Sequence, residues 1–251
     1  MSSFFRTVLV RDEVASTSDL ARELVKSSEV ALPLVVHARK QTRGRGRGEH
    51  RWWSDEGSLT FTIAIDPCSH GLRRDHEPKL ALAVAVGMIE LGEAMGSSVP
   101  LQVRWPNDVE AGGLKLAGIL PERIETAFGP RVLIGVGLNV ATRFASAPSE
   151  VRGMAISLRD LCGRELEIPA VLEAFLERFP ALLARLVRDD PGLAEAWSDR
   201  DSLTGKSIQL KVGTEILVGR GGGITRTGGL ILVRDGGTSV HHGGQVLRTN
   251  S

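Results

Sequence analysis

A change of sequence texture near residue 200 constrains this chain most. Before it, strand-type and helix-type periodicities alternate. After it, short β-type runs are cut by glycine, with 12 glycines between Gly205 and Gly244. Alternating strands and helices predict a sheet covered by helices, whereas short strands joined by glycine turns predict a small barrel or sandwich. The chain therefore reads as an α/β (α+β) protein in two unequal parts, residues 1–200 and 201–251, with the boundary within 197–204. At 251 residues it can bury a sizeable core. A tail of about 50 residues is marginal for a core of its own, so it should lean on the larger part.

In the larger part, Arg6–Val10 reads as a strand, and Ser16-Thr17-Ser18-Asp19 supplies caps for a helix carrying Leu20 and Leu24 on one face. Leu32–Ala38 and Leu59–Ile65 read as strands, the second with alternating Leu59, Phe61, Ile63 and Ile65. Pro78 opens a helix through Ala94. Leu101–Trp105, Leu114–Arg123 and Val132–Val140 are further strands, with a hairpin turn at Gly112-Gly113. Pro169 opens another helical stretch, which Pro180 should kink or split. The C-terminal runs are Ser207–Val212, Glu215–Val218, Leu230–Arg234 and Ser239–His241.

Composition excludes several classes. Lys and Arg total 31 against 30 Asp and Glu, so the net charge of +1 gives no global pull toward nucleic acid or anionic membrane. Anion binding must be local. Cys68 and Cys162 are too few for a disulfide framework or a multi-cysteine zinc site, and read as small buried apolar residues. Val8–Val10 lies between Arg6 and Arg11 and is too short for a signal core. No run is long and apolar enough for a membrane span. A soluble cytoplasmic protein is expected.

Charge gathers in one place. His37–Ser54, HARKQTRGRGRGEHRWWS, holds Arg39, Lys40, Arg43, Arg45, Arg47 and Arg51 against Glu49 alone. Gly44, Gly46 and Gly48 let the backbone turn and bring its N–H groups to a ligand. Guanidinium forks grip phosphate or carboxylate oxygens in pairs. A small-anion site, an RNA-binding tract and a solvated basic loop all fit this chemistry. A second segment runs Arg104-Trp105-Pro106-Asn107-Asp108, then Leu114-Lys115-Leu116-Ala117-Gly118-Ile119-Leu120. Pro-Asn-Asp after an apolar strand is a turn, and Lys115 sits on the strand that follows. A third, Ile134-Gly135-Val136-Gly137-Leu138-Asn139-Val140, has glycine at alternate positions, which clears one face of a strand for close approach. Gly205-Lys206-Ser207 lacks the first glycine of a phosphate-binding loop, and His241-His242 point to opposite faces of a strand. Neither makes a site, and no metal ligands are assigned.

Taken in order, these segments resemble the biotin–protein ligases (biotin–acetyl-CoA-carboxylase ligases) across nearly the whole chain. Ser16-Thr17-Ser18 is similar to that family's Ser-Thr-Asn, and Gln41–Ser54 to its Q-x-x-G-R-G-R-x-G-R-x-W-x-S. Arg104–Asp108 with Lys115–Leu120 resembles K-W-P-N-D…K-L-A-G-I-L, and Ile134–Asn139 resembles I-G-x-G-I-N. The resemblance implies a mixed-sheet catalytic domain of the class II synthetase type with a C-terminal SH3-like β-barrel. It also implies a two-step reaction: biotin and ATP, with Mg²⁺, give biotinyl-5′-AMP, and a lysine of a biotin carboxyl carrier protein domain displaces AMP.

By the same resemblance, Ser16, Thr17, Ser18, Gln41, Arg45, Gly46, Arg47 and Lys115 hold biotin, and Arg47, Trp52, Lys115 and Asn139 hold the nucleotide. Arg45, Arg47 and Lys115 would stabilise the reacting charge, and Asp108 would orient or deprotonate the acceptor amine. Ser18, Glu49, His50 and Arg104 depart from the pattern, and Glu49 brings a negative charge into an anion-gripping loop. Residues 43–51 are expected to order as the adenylate forms. Only 15 residues precede Ser16, too few for the winged helix-turn-helix of some relatives, so no DNA binding is expected. Edge strands could support a homodimer. The competing readings are a lipoate or octanoate ligase or transferase and, from another class, an RNA-binding module built on the Arg/Gly segment.

Overall fold

Residues 3–250 are described by a computed structural model, with backbone alone for residues 248–250. Strand β1 (Thr7–Val14) leads into helix α1 (Thr17–Leu24), and β2 (Leu34–Gln41) follows. The Arg/Gly segment forms a short hairpin of β3 (Gly44–Arg45) and β4 (Arg51–Trp52). After β5 (Ser58–Ile65), a 3-10 turn carrying Pro78 leads into α2 (Leu80–Ala94). Then come β6 (Leu101–Arg104), β7 (Asp108–Ala111), β8 (Leu114–Thr126) and β9 (Gly129–Asn139). Helices α3 (Leu158–Cys162), α4 (Ile168–Val187) and α5 (Pro191–Asp199) precede the C-terminal strands β10 (Ser207–Val212), β11 (Glu215–Ile224), β12 (Leu230–Arg234), β13 (Gly237–His241) and β14 (Gln245–Asn250).

The first nine strands, less the hairpin, form one seven-stranded sheet ordered β1-β2-β5-β9-β8-β7-β6. Its β1–β2 pair is parallel and the rest antiparallel, so the sheet is mixed, as expected. Both faces are covered. Leu59, Phe61, Ile63 and Ile65 of β5 point into a large core under α2 and α4. Ala64 of β5, with Leu34 and Val36 of β2 and Leu133 of β9, packs against Ala21 of α1 and Val25 at its C-terminal cap. Covering both faces buries all eight residues of β5. Helix α2 is buried around most of its circumference, which its nearly all-apolar sequence requires.

The C-terminal strands make a five-stranded antiparallel sheet ordered β13-β12-β11-β10-β14, bent by register shifts in β10 and β11. Ile208, Leu210, Ile224, Leu230 and Leu232 join the core of the larger part rather than forming one of their own. Hydrogen bonds tie the seam, three of them from α5 and the Trp105 turn. Trp105 Nε1–H donates to the Gly228 carbonyl at 3.0 Å, Trp197 Nε1–H to Thr225 at 3.3 Å, and the Ser198 hydroxyl to Ile224 at 2.8 Å.

Two expectations need correction. Pro180 does not divide its helix: α4 runs through it, because Leu176, Phe179, Leu182, Leu183 and Leu186 keep one buried face across the interruption. That burial outweighs the one backbone bond proline removes. Cys68 is exposed and Cys162 only half-buried, rather than both buried. Asp66 explains Cys68: its carboxylate accepts from the Cys68 and Ser69 amides, curling the chain after Pro67 into a surface turn. Among the described residues, no helix is long and apolar enough to cross a membrane.

Candidate active site

A cavity of about 1100 Å³ opens where β1, β2 and β9 end and β8 begins. Its floor is the face of β9 that carries Gly135 and Gly137. A side chain at 137 would place Cβ only 2.3 Å from the indole of Trp52, and one at 135 would reach 2.6 Å from Ser18 Oγ. The alternating glycines therefore make room for these two side chains.

At one end stands α1. Ser16 caps it, accepting from the Asp19 amide at 3.4 Å, and this aims the first turn into the cavity. Gln41, at the end of β2, accepts at Oε1 from the Thr17 amide (2.7 Å) and hydroxyl (3.1 Å). Its amide NH2 is left as a donor. Thr62 of β5, fully buried, donates to the Thr17 hydroxyl at 2.9 Å and lies 3.1 Å from Ser18 Oγ. A hydroxyl has one proton, so Ser18 donates to Thr62 and keeps lone pairs for a ligand. Each such bond is worth about 1 kcal/mol net. Together they fix three side chains before any ligand arrives. Sequence reasoning missed Thr62, which in a β-rich run reads only as a strand former.

The hairpin forms the roof. Arg45 is held by two carboxylates: Glu122 of β8 takes both terminal nitrogens (2.7 and 3.1 Å), and Asp19 takes one at 3.1 Å. Arg22 bridges the same pair at 2.9 Å to each. Glu122, also missed, lies 77 positions from Arg45 and sits on no motif. Gly46 N–H donates to the His50 carbonyl at 2.9 Å, closing the hairpin. Arg47 donates to the Gly244 carbonyl, and His50 pairs with Gln245 at 2.8 Å, docking the tip on the C-terminal sheet. Residues 244–246 and Lys211 thus line the cavity, a contribution the sequence did not reveal. Burial pushes the Arg47 guanidinium below its ordinary value and the charge of Asp108 pulls it back. It stays cationic near neutral pH.

Lys115 and Asp108 face each other across the β7–β8 hairpin, Nζ to Oδ1 at 2.7 Å. The ammonium lies 5.8 Å from the centre of the Trp52 ring, whose Nε1–H is buried without a partner among the described residues. Arg104 lines the same end, backed by buried Glu110 at 3.6 Å. Of the expected residues, Ser16, Thr17, Ser18, Gln41, Arg45, Gly46, Arg47, Trp52, Asp108 and Lys115 all line this cavity. Asn139 does not. It is buried behind Lys115, donating to its carbonyl at 3.3 Å and accepting from Thr142 at 3.4 Å. Trp53 turns away to pack on Phe144. Among the described residues no cluster of three or more metal-ligating side chains exists.

The sequence profile of the Biotin/lipoate A/B protein ligase family matches residues 10–139, just over half the chain and nearly all of this cavity. The chain belongs to that family. Among its relatives, the Bifunctional ligase/repressor BirA of Bacillus spizizenii is 32% identical over 171 residues, 67% of this chain and 51% of that protein. The chain thus spans about half the length of that relative. The Biotin--[acetyl-CoA-carboxylase] ligase of Paracoccus denitrificans is 31% identical over 211 residues, 82% of this chain and 86% of that protein. The fold matches the biotin protein ligase of Aquifex aeolicus, solved with biotin and ATP. The TM-score is 0.81 at 24% identity, over 98% of this chain and 100% of the other.

Proposed function

We propose that this family member attaches biotin to a lysine of a biotin carboxyl carrier domain, using ATP. The observation that carries the reading is the convergence of the α1 turn, the Arg45–Arg47 hairpin and the Lys115–Asp108 pair on one cavity. A biotin carboxylate oxygen attacks the α-phosphorus of ATP, the bond to pyrophosphate breaks, and biotinyl-5′-AMP forms. The amine of the carrier lysine then attacks the acyl carbon and AMP leaves.

This chain's own groups suit both steps. Ser16, Ser18 and the Gln41 amide offer the donors and acceptors that a ureido ring and its tail need; Thr62 holds Ser18 directly and Thr17 holds Gln41. Lys115 and Arg47 set fixed positive charge where the phosphate gains negative charge, and fixed charge needs no reorganisation as the reaction proceeds. Arg45, fully engaged by Glu122 and Asp19, acts as a strut for the hairpin base. Trp52 covers the nucleotide end, its unpartnered Nε1–H ready for an acceptor on the ligand. Asp108 orients Lys115 first and is the base nearest to it for an incoming amine. Asn139 acts through Lys115 by holding its carbonyl.

Glu49 and Asp108 are the carboxylates facing the cavity, too few for a protein cage. Mg²⁺ would be held mainly by triphosphate oxygens, with one carboxylate at most, and would offset the charge of the leaving pyrophosphate. An RNA-binding role fits less well, since Arg45 is engaged by Glu122 and Asp19 and Arg47 lines the cavity.

The test is transfer of biotin to a carrier domain, read by avidin blot, with lipoate as competitor. Labelling that needs ATP and resists excess lipoate supports the reading. Loss of the avidin signal when lipoate is added at a concentration equal to biotin overturns it in favour of a lipoate enzyme.

A further inference from the structure

A second cavity, of about 550 Å³, lies on the same face of the sheet at its opposite end. The odd positions of β9 connect the two: Gly137 and Gly135 floor the first, and Arg131 lines the second. Between them Leu133 is buried with Ala21, Val25 and Leu34. At about 3.3 Å per strand residue, Arg131 stands roughly 13 Å down β9 from Gly135. The two lining sets share no residue.

Arg131 is only 8% exposed, yet its charge is poorly answered. Nη1 donates to the carbonyl of its own neighbour Pro130 at 2.8 Å, and Nε is buried with no partner among the described residues. Among the described residues, the carboxylate within 4 Å is Asp66, at 3.9 Å and beyond hydrogen-bond reach. Asp66 spends its oxygens elsewhere, on the Ser69 hydroxyl (2.8 Å) and the amides of Cys68 (2.9 Å) and Ser69 (3.3 Å). A buried guanidinium with an orphan donor costs free energy that the protein itself does not recover. Arg6 and His70 add basic groups to the lining, while Val25, Leu32 and Phe128 give it one apolar wall. The rest of the lining is mostly polar, with the hydroxyls of Ser27, Ser28 and Ser69, so the concavity pairs a polar rim with one apolar wall. A concavity of several hundred Å³ with placed polar groups and an apolar side is a usual build of a small-molecule site.

We propose that this cavity binds a small organic monocarboxylate, its carboxylate on Arg131 and its apolar body against Val25, Leu32 and Phe128. Asp66 decides between a monoanion and a dianion. Burial pushes its carboxyl up, but the Ser69 and Cys68 bonds more than offset this, so it stays ionised near neutral pH. A phosphate dianion beside it would meet about twice the repulsion that a carboxylate meets. The walls favour each methylene taken out of water. The site makes no use of the reaction assigned to the first cavity.

Octanoate is a suitable probe. Calorimetric titration of the full chain should give one site whose affinity falls at least tenfold in Arg131→Gln. It should fall less in Phe128→Ala, which trims an exposed wall residue, and hold in Lys115→Ala, which lies in the first cavity. Octanamide should bind at least tenfold more weakly, and inorganic phosphate should not displace octanoate. Amide shift changes on the wild-type chain, which need no variant to fold, should centre on 25–33 and 128–132. The proposal is overturned by no octanoate binding, by equal binding in Arg131→Gln, or by shift changes centred on Ser16–Ser18 with loss of binding in Lys115→Ala.

Discussion

Lys115 leaves its strand with a carboxylate 2.7 Å from its ammonium and a tryptophan ring beside it. A lysine between two leucines on a strand would ordinarily face solvent. Here Asp108 and Trp52 draw it into the cavity. Replacing it by alanine should lower the rate of adenylate formation on the order of 10²-fold or more, the usual cost of losing a transition-state charge stabiliser. Single-turnover formation of the adenylate measures this directly. Gly137 makes a second prediction. A methyl there would lie 2.3 Å from the Trp52 indole, which must move, whereas the backbone need not. Gly137→Ala should shift tryptophan emission and raise the KM for ATP while leaving the melting temperature nearly unchanged. A large fall in stability would mean that the glycine serves packing rather than the site. At this scale the motifs were legible because guanidinium, ammonium and glycine carry their chemistry on their face. Thr62 and Glu122 were not, since each matters only through partners 44 or more positions away.

Among the elements, the hairpin of β3 and β4 joins the two parts of the molecule. Its base is pinned through Arg45 to α1 and β8, and its tip through Arg47 and His50 to the C-terminal sheet. Four of its nine residues, 43 to 51, are nevertheless exposed at the tip and few apolar contacts hold them. Such segments open at low free energy. Amide exchange across 43–51 should slow when biotin and ATP are added together, and less with either alone. Equal exchange in all four conditions would show that the hairpin is already closed without ligand. The paired strands around Gly112-Gly113 and the α1 cap were readable because turn and cap chemistry is local. The unbroken α4 and the exposed Cys68 were not, because a buried face in one case and the Asp66 turn in the other outweighed local propensity. Strand β14, next to the cavity through Gln245, gave no clear signal in so short a run.

On the scale of the whole molecule, the C-terminal sheet has no separate core, so the two parts should unfold together. Trp105→Phe would leave the Gly228 carbonyl unpaired in a buried seam, at a cost of about 1–3 kcal/mol. Urea unfolding should show that loss in a single transition. Two transitions would contradict the shared core. Asp201, buried at the same seam, adds a pH dependence. Burial pushes its carboxyl above the ordinary value of 3.8, against the opposing bonds from Thr204 and Leu203, and Glu110 nearby pushes it the same way. The folded chain therefore holds this proton more tightly than the unfolded one. Its contribution is fully present below pH 3.8 and is lost as pH rises through the raised value. Asp201→Asn keeps the acceptor and removes the titration, so its stability should gain on the wild type as pH rises above about 4. The seam as a whole was legible only as an inference from length.

If one cavity activates biotin with ATP, the chain alone should catalyse biotin-dependent exchange of labelled pyrophosphate into ATP, with no carrier protein present. Exchange is expected with biotin, none with lipoate or without an acid, and it should be lost in Lys115→Ala. No exchange with biotin, or equal exchange with lipoate, would contradict it.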